Sequence, residues 1–243
     1  MIPGANEAGV KRGATSVTCR LRESDAANRQ DVRAITQLHL KLLGHGPMAR
    51  LGELFLRRFC YHTLIRDGLM KVALYEVDGQ PAGFIAYTTH SMTFHRIAIR
   101  RHLPYVVSLM AVSILRDPRV VLRLLKALRL MGSRRAELDL GRDPIGEVLA
   151  IGVLPEYRTP QFIRRTGVRI GEQLIAHVRS YLERAGVERM RMVVEAHNTP
   201  TLLFYQSLGG RFEPYEQAGE PMVQVWFDLN GRPAATPKGE ARA

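Results

Sequence analysis

Cys19 and Cys60 are the 2 cysteines of a 243-residue chain. That is too few for a disulfide framework or a Cys-rich zinc site, and both fall in segments that read as ordinary secondary structure. A reducing, cytoplasmic setting is expected, and no metal site. No run approaches the roughly 20 apolar residues that a transmembrane helix needs, and the opening stretch MIPGANEAGVKRGATSV lacks the apolar core of a secretory signal. The sequence therefore predicts a soluble, unexported protein. Acidic residues are also scarce: 23 Asp and Glu stand against 35 Lys and Arg, a formal net charge of +12. Such an excess suits a nucleic acid, a phosphate-rich cofactor, an anionic membrane or an acidic partner. Where the charge sits therefore decides more than its sum.

What the chain does have is enough apolar material, 46% of residues, for one substantial core. One ordered domain is expected over 18–230, between small, polar, Pro/Gly-containing tails at 1–17 and 231–243. A short strand at Val17 to Leu21 leads past the turn or capping residues Ser24 and Asp25 into a helix around Asp31 to Leu43, where Val32, Ile35, Leu38 and Leu42 recur at helical spacing. A second amphipathic helix follows from Met48 to Ile65. Lys71 to Val77 and Pro81 to Thr88, joined by Asp78-Gly79-Gln80, read as a hairpin.

The pattern then turns helical from His90 to Arg135, with breaks expected at Leu103-Pro104 and Asp117-Pro118. A strand at Glu147 to Leu154, a helix at Ile170 to Ala185, a strand at Arg189 to Glu195 and a helix at Thr199 to Leu208 complete an α/β order. Strands near Arg211 to Glu213 and Met222 to Leu229 close it.

One segment carries chemistry on its face. GEVLAIGVLPEYRTPQFIRRTGVRIGEQLIAHV runs from a buried strand through a basic, Gly-containing loop into an amphipathic helix. Free backbone N–H groups and the positive end of a helix dipole make such a junction an anion site, and Arg164, Arg165 and Arg169 add charge there. Taken alone, Gly167 and Gly171 fit an ordinary strand-to-helix connection as well.

The run Val153-Leu154-Pro155-Glu156-Tyr157-Arg158, followed by Gly167-Val168-Arg169-Ile170-Gly171-Glu172-Gln173-Leu174, resembles the pyrophosphate-binding motif of the GNAT superfamily, V-x-P-x-x-R-G-x-G-x-G. Asn198 to Gly209, NTPTLLFYQSLG, is similar to the second signature, N-x-x-A-x-x-F-Y-x-x-x-G. Three departures stand out. Thr201 replaces the alanine, Arg169 stands at the middle glycine, and Thr159 to Thr166 lengthens the loop, which leaves Arg158 and Arg164 both open for the arginine that begins it.

The resemblance, which spans most of residues 17 to 230 apart from the helical insertion, implies a mixed, mostly antiparallel central sheet flanked by helices; the insertion, about 90–135, falls between the third and fourth strands of the sequence pattern. It also implies an N-acyltransferase, most simply an N-acetyltransferase, that takes acetyl-CoA or another acyl-CoA and a small-molecule amine. A protein or peptide acceptor, or a binding module without catalysis, is the alternative.

The implied coenzyme contacts are Ile151, Gly152, Val153, Arg158, Arg164, Arg165, Thr166, Gly167, Val168, Arg169, Ile170, Gly171, Asn198 and Tyr205. An attacking amine must shed a proton. Glu147, four residues before Ile151 and read as sharing a strand face with Leu149, Ile151 and Val153, matches the position of a general base in several members. A solvated strand-end carboxylate is the plainer reading, and Glu195 and His90 are rivals. The family's oxyanion donor is a strand amide, which maps to Val153 or its neighbour, with Gly152 suited to a bulge. Tyr205 matches the acid near the thiol, although a tyrosine there also suits packing. Asn198 matches the residue that caps the last helix and contacts the pantetheine arm.

The insertion holds nine of the twelve net charges: ten Lys and Arg, Arg96, Arg100, Arg101 and Arg116 among them, against Asp117. A solvated flap, an acceptor lid whose arginines select an anionic group, a homodimer surface and an interfacial helix on anionic lipid are the roles open to it. A nucleic-acid partner is not expected.

Overall fold

The computed structural model describes residues 17–46, 48–91, 94–116, 145–217 and 219–229. Both expected tails and the Asp117-Pro118 break lie outside them, except that Val17 is described. Seven strands form a single sheet: β1 (Cys19–Glu23), β2 (Lys71–Val77), β3 (Gln80–Thr88), β4 (Ile145–Val153), β5 (Arg189–Glu195), β6 (Arg211–Gln217) and β7 (Glu220–Asp228). The order is β1-β2-β3-β4-β5-β7-β6, and every pair is antiparallel except the central β4–β5. The β2–β3 hairpin turns at Asp78 (φ 50°) and Gly79 (φ 75°), the two positive values that a tight primed turn demands.

One face of the sheet is covered by α1 (Arg29–Leu43), whose first turn is capped by Asn28, the side chain accepting from the Gln30 and Asp31 amides. Of the two roles open to Asp25 the structure shows the turn: its carboxylate accepts from the Ala27 amide. Buried Asp31 is neutralised by Arg22 of β1 at 2.6 Å, and the same guanidinium reaches Glu76 of β2 at 2.7 Å, which locks α1 to the sheet edge.

The single helix expected at Met48 to Ile65 is three pieces. A 3-10 turn at Ala49–Leu51 is followed by Gly52 at φ 95°, which interrupts the helix, then by α2 (Glu53–Phe55), which passes directly into a π-helical stretch, Leu56–Leu64. Thr63 follows the wider period by donating its hydroxyl to the Arg58 carbonyl, five residues back.

The insertion begins with α3 (Phe94–Arg116), which leaves helical geometry at His102 (φ −120°), two residues before Pro104; the expected break is a kink inside one helix. Phe94, Ala98 and Leu109 of α3 join the core beneath it.

The opposite face is packed by α5 (Ile170–Arg184) through Ile170, Leu174, Ile175, Val178 and Leu182 and by α6 (Thr199–Ser207) through Tyr205. Between β4 and α5 the lengthened segment is not a plain loop. A 3-10 turn (Pro155–Tyr157) is followed by α4 (Pro160–Thr166), because Thr159 caps it by accepting from the Phe162 amide and Pro160 suits a first helical turn. At the far edge β6 runs on past Glu213 to Gln217, since Pro214 is tolerated on an edge strand.

Candidate functional site

The parallel pair β4–β5 stays together for three registered positions, Ile145 with Arg189, Gly146 with Met190 and Glu147 with Arg191, and then parts. Beyond Glu147, β5 pairs only with β7 and β4 only with β3. The cause lies in β4. Its register against β3 shifts between Ala150 (opposite Ala86) and Val148 (opposite Tyr87), so Leu149 is an extra residue that bends the strand away. The bulge is therefore at Leu149 and not at Gly152, which pairs regularly with Phe84. Gly152 has another reason to lack a side chain: a Cβ would sit 2.8 Å from Leu42 of α1.

A bulge also breaks the two-residue alternation of a strand. Val148, Ile151 and Val153 pack on the α5 side, whereas Leu149 and Ala150 pack toward α1. Glu147 thus does not share a face with Ile151 and Val153, as regular alternation would have it.

Glu147 is not solvated either. Its side chain is 2% exposed, with Arg191, also 2% exposed, 3.2 Å away across the last registered pair. Ser91 bridges them: its hydroxyl donates to Glu147 Oε2 at 2.7 Å and accepts from Arg191 Nη2 at 3.0 Å. The Arg191 guanidinium also stacks over Trp226 of β7, 5.7 Å from the ring centre. Neither Ser91 nor Arg191 stood out in the sequence. They lie 56 and 44 residues from Glu147, and only the parallel register of β4 and β5 and the turn before α3 bring them together. The rivals stand apart. His90 is exposed, and Glu195 is a surface residue 3.3 Å from His197.

At the C-terminal ends of β4 and β5, where the strands have parted, the start of α5 meets α6 at Phe204. A Cβ on Gly171 would lie 3.2 Å from the Phe204 ring, so glycine allows the two helices this approach. The first turn of α5 receives no side-chain cap from Arg169, and its first intrahelical bond runs from the Gln173 amide to the Arg169 carbonyl. Unsatisfied N–H groups with the positive dipole end behind them attract an anion. Gly167 (φ 68°) ends α4 in the left-handed conformation, its amide donating to the Ile163 carbonyl, and Thr166 Oγ1 accepts from the Val168 amide. Arg158, Arg164, Arg165 and Arg169 are all exposed around this junction, Arg169 with Glu172 at 3.3 Å.

Asn198 caps α6 by accepting from the Thr201 amide. Tyr205 is 2% exposed among Phe204, Phe227 and the α5 residues, and burial pushes its phenol above the ordinary tyrosine range, keeping it a proton donor. The gap therefore has a carboxylate on its α1–α3 side and a phenol on its α5–α6 side. On the former side His39 of α1 is also buried, hydrogen-bonded to Tyr61 of the π-helical stretch, and desolvation pushes its pKa down to about 4.

No protein-family model and no curated protein matches the chain. Solved structures do. A protein from Desulfovibrio desulfuricans assigned as a GNAT-family acetyltransferase aligns over 87% of this chain and 99% of its own at TM-score 0.52 and 12% identity. Arabidopsis thaliana NAA60 in complex with acetyl-CoA aligns over 88% and 100% at TM-score 0.51 and 17% identity. Aminoglycoside 6'-acetyltransferase type Ii aligns over 88% and 99% at TM-score 0.50 and 10% identity. These likenesses establish the fold alone: the chain has the GNAT fold.

Proposed function

We propose that this GNAT-fold chain is an acyl-CoA-dependent N-acyltransferase, acetyl-CoA being the simplest donor and a small-molecule amine the acceptor. The observation that carries the reading is the gap between β4 and β5: two parallel strands part at a bulge, and the uncapped first turn of α5 lies at their diverging ends. An elongated ligand with a phosphate-bearing end and a thin arm fits this pairing of features. Its pyrophosphate would meet the amides of 169–171, those of Gly167 and Val168 being bonded to Ile163 and Thr166, with charge from Arg158, Arg164, Arg165 and Arg169. Its arm would enter between the strands past Ile151, Gly152 and Val153, beside Asn198. That NAA60 was solved with acetyl-CoA supports the same donor here.

For the reaction, the amine attacks the thioester carbonyl from the α1–α3 side. Its proton passes to the Ser91 hydroxyl as that hydroxyl gives its own to Glu147, along the hydrogen bond that already joins the two. An amide at Val153 or its neighbour steadies the oxyanion, and the departing thiolate takes a proton from Tyr205 on the other side of the gap.

Acetyl-CoA consumption across amino sugars, polyamines, amino acids and peptides tests the reading. Turnover with at least one amine, lost in Glu147→Gln by about 100-fold or more at unchanged acetyl-CoA affinity, is the expected result. Full turnover in that variant overturns the assignment of the base.

A further inference from the structure

Beyond the transfer site, α3 is apolar on two sides. Its inner arc packs into the core through Phe94, Ala98, Tyr105, Val106 and Leu109. Its outer arc leaves Ile97, Leu103 and Val107 36%, 52% and 57% exposed, three of the five large hydrophobic residues so exposed among the described residues. Pro104, Ser108 and Ala111 continue that surface, and Arg100 and Arg101 stand on it with their side chains outward. Arg101 makes only a long 3.7 Å approach to Asp67. From Phe94 to Arg116 the helix has four arginines and no Asp or Glu.

A helix whose inward face is already satisfied has no folding reason to keep leucine and valine in water on the other. We propose that the outer face of α3 docks in the plane of an anionic lipid surface, Leu103 and Val107 entering the acyl boundary and Arg100 and Arg101 meeting lipid phosphates. The charge selects this occupant. A second copy of the chain would bring the same arginines against each other. A nucleic acid would take the arginines but offer nothing to Leu103 and Val107. The helix lies on the surface and does not cross it: four arginines in 23 residues forbid a span, and no helix among the described residues is long and apolar enough to cross a membrane.

The test is co-sedimentation of the full chain with vesicles of phosphatidylcholine, with and without phosphatidylglycerol. Pelleting with the anionic vesicles alone, weakened by salt, is expected. Neutralising Arg100 and Arg101 to Ser lowers the partition by about fivefold per charge. The double change Leu103→Glu, Val107→Glu lowers it by roughly tenfold or more, since each buried methylene contributes to anchoring. Because both residues are exposed, the melting temperature of that variant stays at the wild-type value.

Absence of pelleting, equal pelleting with neutral vesicles, or wild-type binding by the Leu103/Val107 variant overturns the proposal. So does light scattering that shows a dimer lost in that variant, which would make the face a self-association surface. None of these outcomes bears on whether the chain binds acetyl-CoA.

Discussion

Removing the Arg191 charge while leaving the Glu147 carboxylate in place should cost more stability than any surface change. Both side chains are 2% exposed and 3.2 Å apart. At an effective dielectric of about 20, a pair at this separation attracts by roughly 5 kcal/mol, and removing one partner of a buried pair typically costs about 3–5 kcal/mol because the other is stranded. Arg191→Met, which keeps bulk and drops charge, is the sharp perturbation; Glu147→Gln and the double variant complete a cycle.

In urea, with a slope near 3 kcal/mol/M, the Arg191→Met midpoint should fall by about 1–1.7 M. The double variant should lose less than the two single losses combined, by about 1 kcal/mol or more. If Arg191→Met costs only about 0.5 kcal/mol, the range of surface substitutions, or if the two changes add, the pair does not hold the base of the β4–β5 gap together.

Acid should act on His39: its folded pKa near 4 lies below the usual 6.5, so the unfolded chain binds the proton first and stability falls as pH drops from about 6.5 toward 4. The part of the loss that His39 causes, roughly 2–3 kcal/mol by pH 4.5, should be missing in His39→Gln, and equal pH dependence in the two proteins would contradict it. Gly171→Leu drives a branched side chain into Phe204 at the mouth of the proposed cradle, so calorimetry should find acetyl-CoA affinity down by about tenfold or more; unchanged affinity places the pyrophosphate elsewhere. Gly167→Ala, in open space but at φ 68°, should cost about 1 kcal/mol of stability in urea, and no cost would deny the left-handed conformation.

The parts of the fold set by local chemistry were legible. Asp78-Gly79 announces its hairpin, α1 and α5 show their buried stripes, and Arg189 to Glu195 is the strand its pattern predicts. What the sequence hid depends on partners or on the exact count of residues. The bulge at Leu149 adds one position to β4, and nothing in GEVLAIGV marks where, so the face shared by Glu147 was misassigned downstream of it. The π-helical stretch carries an amphipathic pattern that a single α-helix satisfies equally, and only Gly52 could have warned of the break. α4 does have a local signal, Thr159-Pro160, a cap followed by a first-turn proline, inside a stretch whose glycine and arginines otherwise suit a loop. The partners of Glu147 had none: Arg191 is one arginine among many until the parallel register sets it beside the carboxylate.

Whether the gap between β4 and β5 receives an acyl-CoA is tested most directly by melting the full chain with and without acetyl-CoA. A ligand at about 100 times its dissociation constant, binding only the native state, stabilises by roughly 2.7 kcal/mol. For a domain of this size that raises the melting temperature by about 5–10 °C, and the rise should shrink in Gly171→Leu. A melting temperature unmoved by millimolar acetyl-CoA would contradict the account.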